Sequence, residues 1–249
     1  MSGHSKWHNI RLRKGKQDAE RGKAFTKIGR EIIVAAREGG GNPDSNASLR
    51  IAIEKAHGAS MPQDTIKRAI QRGAGEIDGA HYEEVSYEGY GAGGVAVMVK
   101  CLTDNRNRTV ADVRNTFTKC GGSLGETGSV GWQFDNKGLI TVPADQTGEE
   151  TVFSVAVDAG AEDIATEGDI IEVTTPPDAL NEVRQALANA GIPIESADLT
   201  MVPKNTIRVE GKEANQILRL VEALEDLDDV QQVYANFDVP DEVLEAAGA

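Results

Sequence analysis

The chain has 249 residues, of which 39% are hydrophobic and 27% charged, a composition typical of folded globular proteins and unlike that of disordered or membrane proteins. No apolar run reaches the ~20 residues of a transmembrane helix, and the opening MSGHSKWHNI lacks the apolar centre of a signal peptide, so we expect a cytoplasmic protein. The two cysteines, Cys101 and Cys120, follow no CxxC pattern and support neither a disulfide framework nor a zinc site.

The formal net charge of -14 is distributed unevenly along the chain. Residues 1–37 contain 10 Lys and Arg against 3 Asp and Glu, a net charge of +7. Residues 141–249 contain 5 Lys and Arg against 24 Asp and Glu, a net charge of -19. This asymmetry indicates that one end of the chain approaches a polyanion, while the other end is solvated or repelled by it.

Three helical patterns occupy the first 80 residues. Apolar residues recur at helical spacing over 23–37, over 47–57 and in a third segment that ends at Gly73. Ser60 and Gln63 match a capping box at the start of the third helix. The sequence therefore predicts a basic arm followed by a small helical domain.

Beyond residue 80 the apolar pattern becomes strand-like. We predict two strands over 82–89 and 95–102, a loop TDNRNRT, a helix over 109–120 and a strand within SVGWQFD. From Lys137 the predicted order is strand, helix, strand, strand, helix, strand, which is the ferredoxin-like arrangement. A last helix and strand, 212–226 and 229–237, cannot form a domain alone, so we expect them to complete the unit that begins at residue 81.

These elements predict an α+β multidomain fold, with an N-terminal three-helix domain and two ferredoxin-like α+β domains, one inserted in the other. The expected domains are residues 1–80, residues 81–135 with 205–249, and residues 136–204.

The basic N-terminal segment is the most informative part of the sequence. Clustered cations attract phosphate backbones through Coulomb attraction and counterion release, and an aromatic ring among them is able to stack on an exposed base. The alternative is a solvated basic surface with Trp7 as a packing anchor. The residues of this segment that we expect to contact nucleic acid are Lys6, Trp7, Arg11, Arg13, Lys14, Lys16, Arg21, Lys23, Lys27 and Arg30.

The loop TDNRNRT is a second candidate phosphate site. It places Arg106 and Arg108 near the start of a predicted helix, where backbone N–H groups and guanidinium groups suit a phosphate. The alternative is a capping loop with a local ion pair from Asp104. The residues alone leave both interpretations open.

Catalytic motifs are not found in the sequence. There is no nucleophile elbow, HExxH or phosphate-binding P-loop, and His4 and His8 lack further ligands at regular spacing. We therefore expect no enzymatic activity, no cofactor, no metal site and no small-molecule substrate.

Five motifs in the same order resemble the YebC/PmpR family of transcriptional regulators: GHSKW, RGKAFTK, MPQDTIKRAIQRG, YEEVSYEGYGAGGVAV and LTDNRNRT. The resemblance runs through essentially the whole chain and implies one helical and two α+β domains that bind nucleic acid without catalysis. The family includes DNA-binding regulators, ribosome-associated factors and mitochondrial translational activators of a cytochrome oxidase subunit. Its two basic motifs fall on residues 6–23 and 104–108; position 8, usually a small residue in the family, is His8 here.

The sequence thus predicts a non-catalytic, nucleic-acid-binding regulator of gene expression that binds DNA in transcription. The alternative is an RNA-binding translation factor whose partners are ribosomal RNA and the ribosome, because we find no helix with base-reading Asn, Gln and Arg at successive turns. A third hypothesis, from another class, is a protein-interaction adaptor with an incidental basic arm.

Overall fold

The computed structural model describes residues 19–240 and 242–243, without the side chains of residues 19–21 and 167. The chain divides into two compact units, one formed by the described residues up to Gly131 and from Thr206 on, the other by Trp132–Asn205. The helices are α1 (Ala19–Gly39), α2 (Ala47–Gly58), α3 (Gln63–Gly73), α4 (Arg106–Lys119), α5 (Glu149–Asp158), α6 (Leu180–Asn189) and α7 (Gly211–Glu225). The strands are β1 (Glu83–Tyr90), β2 (Ala96–Thr103), β3 (Ser123–Leu124), β4 (Phe134–Pro143), β5 (Asp163–Glu167), β6 (Ile170–Thr175), β7 (Ser196–Pro203), β8 (Ile207–Arg208), β9 (Val230–Ala235) and β10 (Phe237–Asp238).

The first three helices share one apolar core, in which α1 packs against both α2 and α3. Ile32, Leu49 and Ile66, one from each helix, are almost completely buried there. Buried Asn46 fixes the start of α2, because its side chain accepts from the Leu49 N–H at 3.0 Å and donates to the Ala35 carbonyl at 2.7 Å. The side chain of Asn46 therefore caps α2 and also connects it to the C-terminal part of α1.

The capping box predicted at Ser60 and Gln63 is wrong. Ser60 has a φ of 59°, and the residue that caps α3 is Pro62, without a side-chain hydrogen bond. Ser60 instead closes α2: its N–H donates to the His57 carbonyl, and the next N–H reaches the Ala56 carbonyl, both at 2.9 Å. This pair of bonds is a Schellman motif, which requires a residue in the left-handed region at the position that Ser60 takes.

The sheet of the first unit has the antiparallel order β3-β1-β2-β9, with α4 and α7 packed on it. Its core joins alternate residues of β2, such as Val97 and Val99, to Phe117 of α4 and Ile217 of α7. Strands β1 and β2 form a hairpin in this sheet, so its strand order differs from the ferredoxin-like order that we expected for this domain. Strands β8 and β10 form a separate two-stranded parallel sheet.

The second unit is a four-stranded antiparallel sheet of order β5-β6-β4-β7 with α5 and α6. Ile140, Val173 and Leu187 belong to its core. The order is that of the ferredoxin-like arrangement predicted from Lys137 onward. The expected fold class, a multidomain α+β protein with a helical N-terminal region, is confirmed; the exact domain boundaries stay a prediction.

Two element predictions between residues 105 and 143 need correction. The helix predicted over 109–120 begins at Arg106, so the TDNRNRT loop ends at Asn105. The strand predicted within SVGWQFD begins only at Phe134 and continues to Pro143, while the sheet of the first unit takes the two-residue strand β3. A strand of two residues is too short to show alternation, which explains why the sequence did not reveal it.

A buried carboxylate organises the loop that precedes the second unit. Glu88, in β1, is 7% exposed and accepts hydrogen bonds from the N–H groups of Gly128 at 2.8 Å, Val130 at 2.6 Å and Gly131 at 2.7 Å. Burial acts to raise the pKa of Glu88, but the three backbone hydrogen bonds outweigh it and lower that pKa below its ordinary value.

We expect Glu88→Gln to lower the free energy of unfolding by about 2 kcal/mol, because a neutral amide replaces the charged acceptor of three N–H groups, of which that of Val130 is buried. The exposed Glu84→Gln in the same strand is the matched control and should stay within about 0.5 kcal/mol of wild type. Since the folded pKa of Glu88 is lowered, its contribution is present at neutral pH and lost as the pH falls through that pKa. Equal urea midpoints for the two variants at neutral pH would contradict this role.

Candidate nucleic-acid interface

The predicted contact residues divide into those that the structure describes and those that it does not. Three of them, Lys23, Lys27 and Arg30, lie at successive turns of α1. Arg106 and Arg108 lie in the first turn of α4. Lys6, Trp7, Arg11, Arg13, Lys14, Lys16 and the side chain of Arg21 lie outside the described residues.

The α1 cations contact the acidic turn that follows α7, residues 225–229. Lys23 Nζ lies 3.2 Å from a carboxylate oxygen of Asp226, and Lys27 Nζ donates to the backbone carbonyl of Glu225 at 2.7 Å. Arg30 donates to Asp229 Oδ1 at 2.8 Å and to the Leu102 carbonyl at 3.2 Å. Thus α1 presents these three cations to the protein's own carboxylates and carbonyls.

Asp229 is the centre of this contact. Its side chain is 9% exposed and also accepts from the Arg108 guanidinium, with both of its oxygens within 3.0 Å of Arg108 Nη2. The hydroxyl of Thr109, itself buried, donates to Oδ2 at 2.7 Å. One carboxylate therefore joins α1, the start of α4 and the turn before β9.

The pKa of Asp229 follows from these contacts. Burial acts to raise it, but the hydrogen bonds from Thr109 and Arg108, together with the charges of Arg30 and Arg108, lower the pKa below the ordinary value of an aspartate. The carboxylate is therefore ionised at neutral pH, as its role as counter-ion to two arginines requires.

The segment 104–108 has the geometry of a capping loop. Asn105 is the N-cap of α4 and accepts from the Arg108 N–H at 3.1 Å. Arg108 also pairs with Asp104 at 2.8 Å, and Arg106 pairs with Glu83 at 2.7 Å. Both arginines are therefore already paired with carboxylates of the protein.

An open cleft of about 490 Å³ lies against this cluster. Its charged lining residues are Arg30, Arg108, Asp104, Asp112, Asp226, Asp228 and Asp229. Five carboxylates against two guanidinium groups give the lining a net charge of -3, which disfavours a phosphate ligand.

The structure also reveals cations that the sequence pattern did not single out. Four exposed ones on α2 and α3 form no ion pair or side-chain hydrogen bond with any residue that the structure describes: Arg50, Lys67, Arg68 and Arg72. Their signal in the sequence is an amphipathic helix with a basic outer face, which is weaker than the dense charge of the N-terminal arm.

Two absences hold for residues 19–240 and 242–243. Within them, no group of three or more His, Cys, Asp or Glu side chains is arranged to hold a metal ion. In the same range no helix is long and apolar enough to cross a membrane.

We expect Asp229→Asn to lower the free energy of unfolding by about 3 kcal/mol, because Arg30, only 11% exposed, then lacks a counter-ion. Asp228→Asn is the matched control. It removes the same charge from the preceding residue, whose side chain is exposed. The lowered pKa makes the deficit of Asp229→Asn largest at neutral pH and smaller as the pH falls through the folded pKa. Urea unfolding at a series of pH values measures both effects; identical curves for the two variants would refute the assignment.

The sequence and the fold have clear relatives. Residues 5–76 match the family model "TACO1/YebC protein N-terminal domain", and residues 82–237 match "TACO1/YebC second and third domain". A probable transcriptional regulatory protein of Geobacter sulfurreducens is 55% identical over 245 residues, covering 98% of this chain and 99% of the relative. A protein of the same description from Desulforapulum autotrophicum is 53% identical, covering 99% of this chain and 100% of the relative.

A solved structure agrees with this relationship. The crystal structure of a conserved hypothetical protein from Aquifex aeolicus superimposes with a TM-score of 0.83 at 50% sequence identity, covering 91% of this chain and 94% of that one. The matches to both family models and these identities over nearly the full length show that the chain belongs to the TACO1/YebC family.

Proposed function

We propose that this protein is a non-catalytic regulator of gene expression that binds the phosphate backbone of nucleic acid through its basic N-terminal segment. The observation that carries the proposal is the net charge of +7 on residues 1–37, in a chain whose total charge is -14. Such a concentration of cations is the electrostatic footprint of a nucleic-acid-binding surface.

The contacts of the described cations focus the proposal on the arm. Lys23, Lys27 and Arg30 have partners in the acidic turn, so in this arrangement the phosphate contacts fall to the cations that precede Lys23. We assign these contacts to Arg11, Arg13, Lys14 and Lys16, together with Lys6 and Arg21, and we assign the stacking on a base to Trp7. The region 141–249, with its net charge of -19, repels a polyanion and restricts it to the N-terminal part of the protein.

The regulatory role is supported by the relatives, which are named as probable transcriptional regulatory proteins. Fold alone does not determine function, so the support lies in near full-length identity combined with the charge distribution. Transcription is therefore the process that we propose first, with DNA as the polyanion.

We expect the simultaneous exchange of Arg11, Arg13, Lys14 and Lys16 for Glu to abolish binding to a short DNA duplex, while the fold stays intact. Milder exchanges for Gln should flatten the slope of log affinity against log salt, by ~0.9 on duplex DNA or ~0.7 on single strands for each phosphate that is no longer neutralised. Fluorescence anisotropy over about 50 to 200 mM salt measures both quantities.

The matched control exchanges Arg114, Lys119, Arg184 and Lys212 for Glu, four exposed cations outside the N-terminal region. This control changes the net charge by the same amount as the arm variant. It therefore distinguishes an affinity loss caused by missing arm contacts from one caused by the lower net charge of the whole protein. Normal affinity in the arm variant would overturn the proposal and favour a protein-interaction adaptor. Equal reductions of affinity in both variants would mean that binding is unspecific.

The nature of the polyanion is tested by crosslinking in growing cells, followed by sequencing of both the DNA and the RNA recovered. Discrete promoter fragments would support the transcriptional role. Enrichment of ribosomal RNA without promoter DNA would replace it by the translation-factor alternative, with the arm as the contact in either case.

A further inference from the structure

We propose that the outer face of α3 is a second phosphate-binding surface, built from Lys67, Arg68 and Arg72. It holds the backbone of the same nucleic acid that the N-terminal arm contacts. This inference rests on the proposed function and adds to it a described surface and a contact geometry.

The packing of α3 fixes which of its faces is exposed. Ile66 and Ala69 are buried, and α3 ends at Gly73, which approaches α1 so closely that a Cβ there would lie 2.4 Å from the carbonyl oxygen of Ile33. The helix therefore cannot turn about its axis without breaking this contact. Beyond the first turn of α3, the outward side chains are consequently Lys67, Arg68, Gln71 and Arg72.

The α3 cations differ from the neighbouring cations in having no described partner. Arg37 donates to the carbonyls of Tyr82 and Ala80, both at 3.2 Å, and the cations of α1 contact the acidic turn. By contrast, no carboxylate or carbonyl among the described residues lies in hydrogen-bond contact with Lys67, Arg68 or Arg72. Their donors remain directed to solvent, where a phosphate oxygen is able to accept from them.

The spacing of the charges fits a chain of phosphates. Arg68 and Arg72 are four residues apart, about 6 Å along the axis and on one face, and Lys67 lies about 100° around the axis from Arg68. Gly79 packs against the stem of Arg72, since a Cβ at that glycine would lie 3.3 Å from Arg72 Cγ. Two guanidinium groups on one face and an ammonium group at its edge suit neighbouring phosphates of a backbone.

Charge complementarity also selects the occupant. The carboxylate on α3, Asp64, lies in its first turn, where the helix dipole stabilises it, and the rest of the outward face is basic or neutral. Phosphate contacts of this kind position a nucleic acid without reading its sequence. The surface therefore predicts affinity for a backbone, with similar strength across sequences.

The test exchanges Lys67, Arg68 and Arg72 for Gln in the full-length protein, because Gln is neutral and has good helix propensity. The probes are a short DNA duplex and an RNA duplex of the same sequence. We expect binding to weaken roughly tenfold or more at 0.1 M salt, and the salt slope on DNA to flatten by ~0.9 for each phosphate that the variant no longer neutralises. The thermal midpoint should stay close to wild type, because all three side chains are exposed.

The control variant exchanges Arg114, Lys119 and Arg184 for Gln, which removes the same charge from exposed helical positions elsewhere. Wild-type affinity and slope in the α3 variant, with binding abolished in the arm variant, would overturn the α3 surface and leave the proposed function standing. An equally weakened control would overturn it too, because the effect would then be one of total charge. If wild type binds neither duplex, the proposed function fails together with this inference.

Discussion

The ionised carboxylate of Asp229 is the interaction on which the arrangement of the first unit depends. This carboxylate accepts hydrogen bonds from Arg30 of α1, Arg108 of α4 and the hydroxyl of Thr109. The backbone carbonyl of Asp229 accepts a hydrogen bond from the N–H of Leu102 at the end of β2. Removing a carboxylate from water costs several kcal/mol, and that cost is offset only because both oxygens have charged or hydroxyl donors. Since α2 and α3 pack on α1, the same carboxylate holds the helical part of the unit against its sheet.

This use of charge decides which cations remain for a ligand. Arginines that a sequence pattern would assign to phosphate have carboxylate partners within the protein: Arg30 and Arg108 pair with the buried Asp229, and Arg106 pairs with Glu83 at the surface. The exposed cations of α3 pair with no carboxylate among the described residues. The proposed contact surface consists of these cations and the arm. A cluster of cations in a sequence is therefore evidence for a polyanion partner only if the cations that pair with carboxylates of the protein itself are left out of the cluster. In the proposed function, the strongly acidic remainder restricts the polyanion to the N-terminal part of the protein.

Local signals made most of the fold predictable, whereas long-range ones did not. Helix and strand periods depend on neighbours within a few residues, and they indicated the α+β class and the strand, helix, strand, strand, helix, strand order from Lys137 onward. The Asp229 to Arg30 pair spans 199 positions and the Glu88 hydrogen bonds span about 40, so neither carboxylate differed in sequence from a solvated surface acid. Ser60 was misassigned for a local reason, since the same residue type serves a helix start or, in the left-handed region, a helix end.

The decisive experiment is the mapping of nucleic-acid crosslinks onto the protein, by ultraviolet irradiation of cells and mass spectrometry of the crosslinked peptides. If the arm and α3 hold the polyanion, crosslinks fall within residues 6–21 and in the peptides that contain α3, and few or none occur at 104–108 or in Trp132–Asn205. Crosslinks concentrated at Arg106 and Arg108, or in the acidic second unit, would contradict this assignment, because the polyanion would then contact paired arginines or an acidic region instead of the arm and α3.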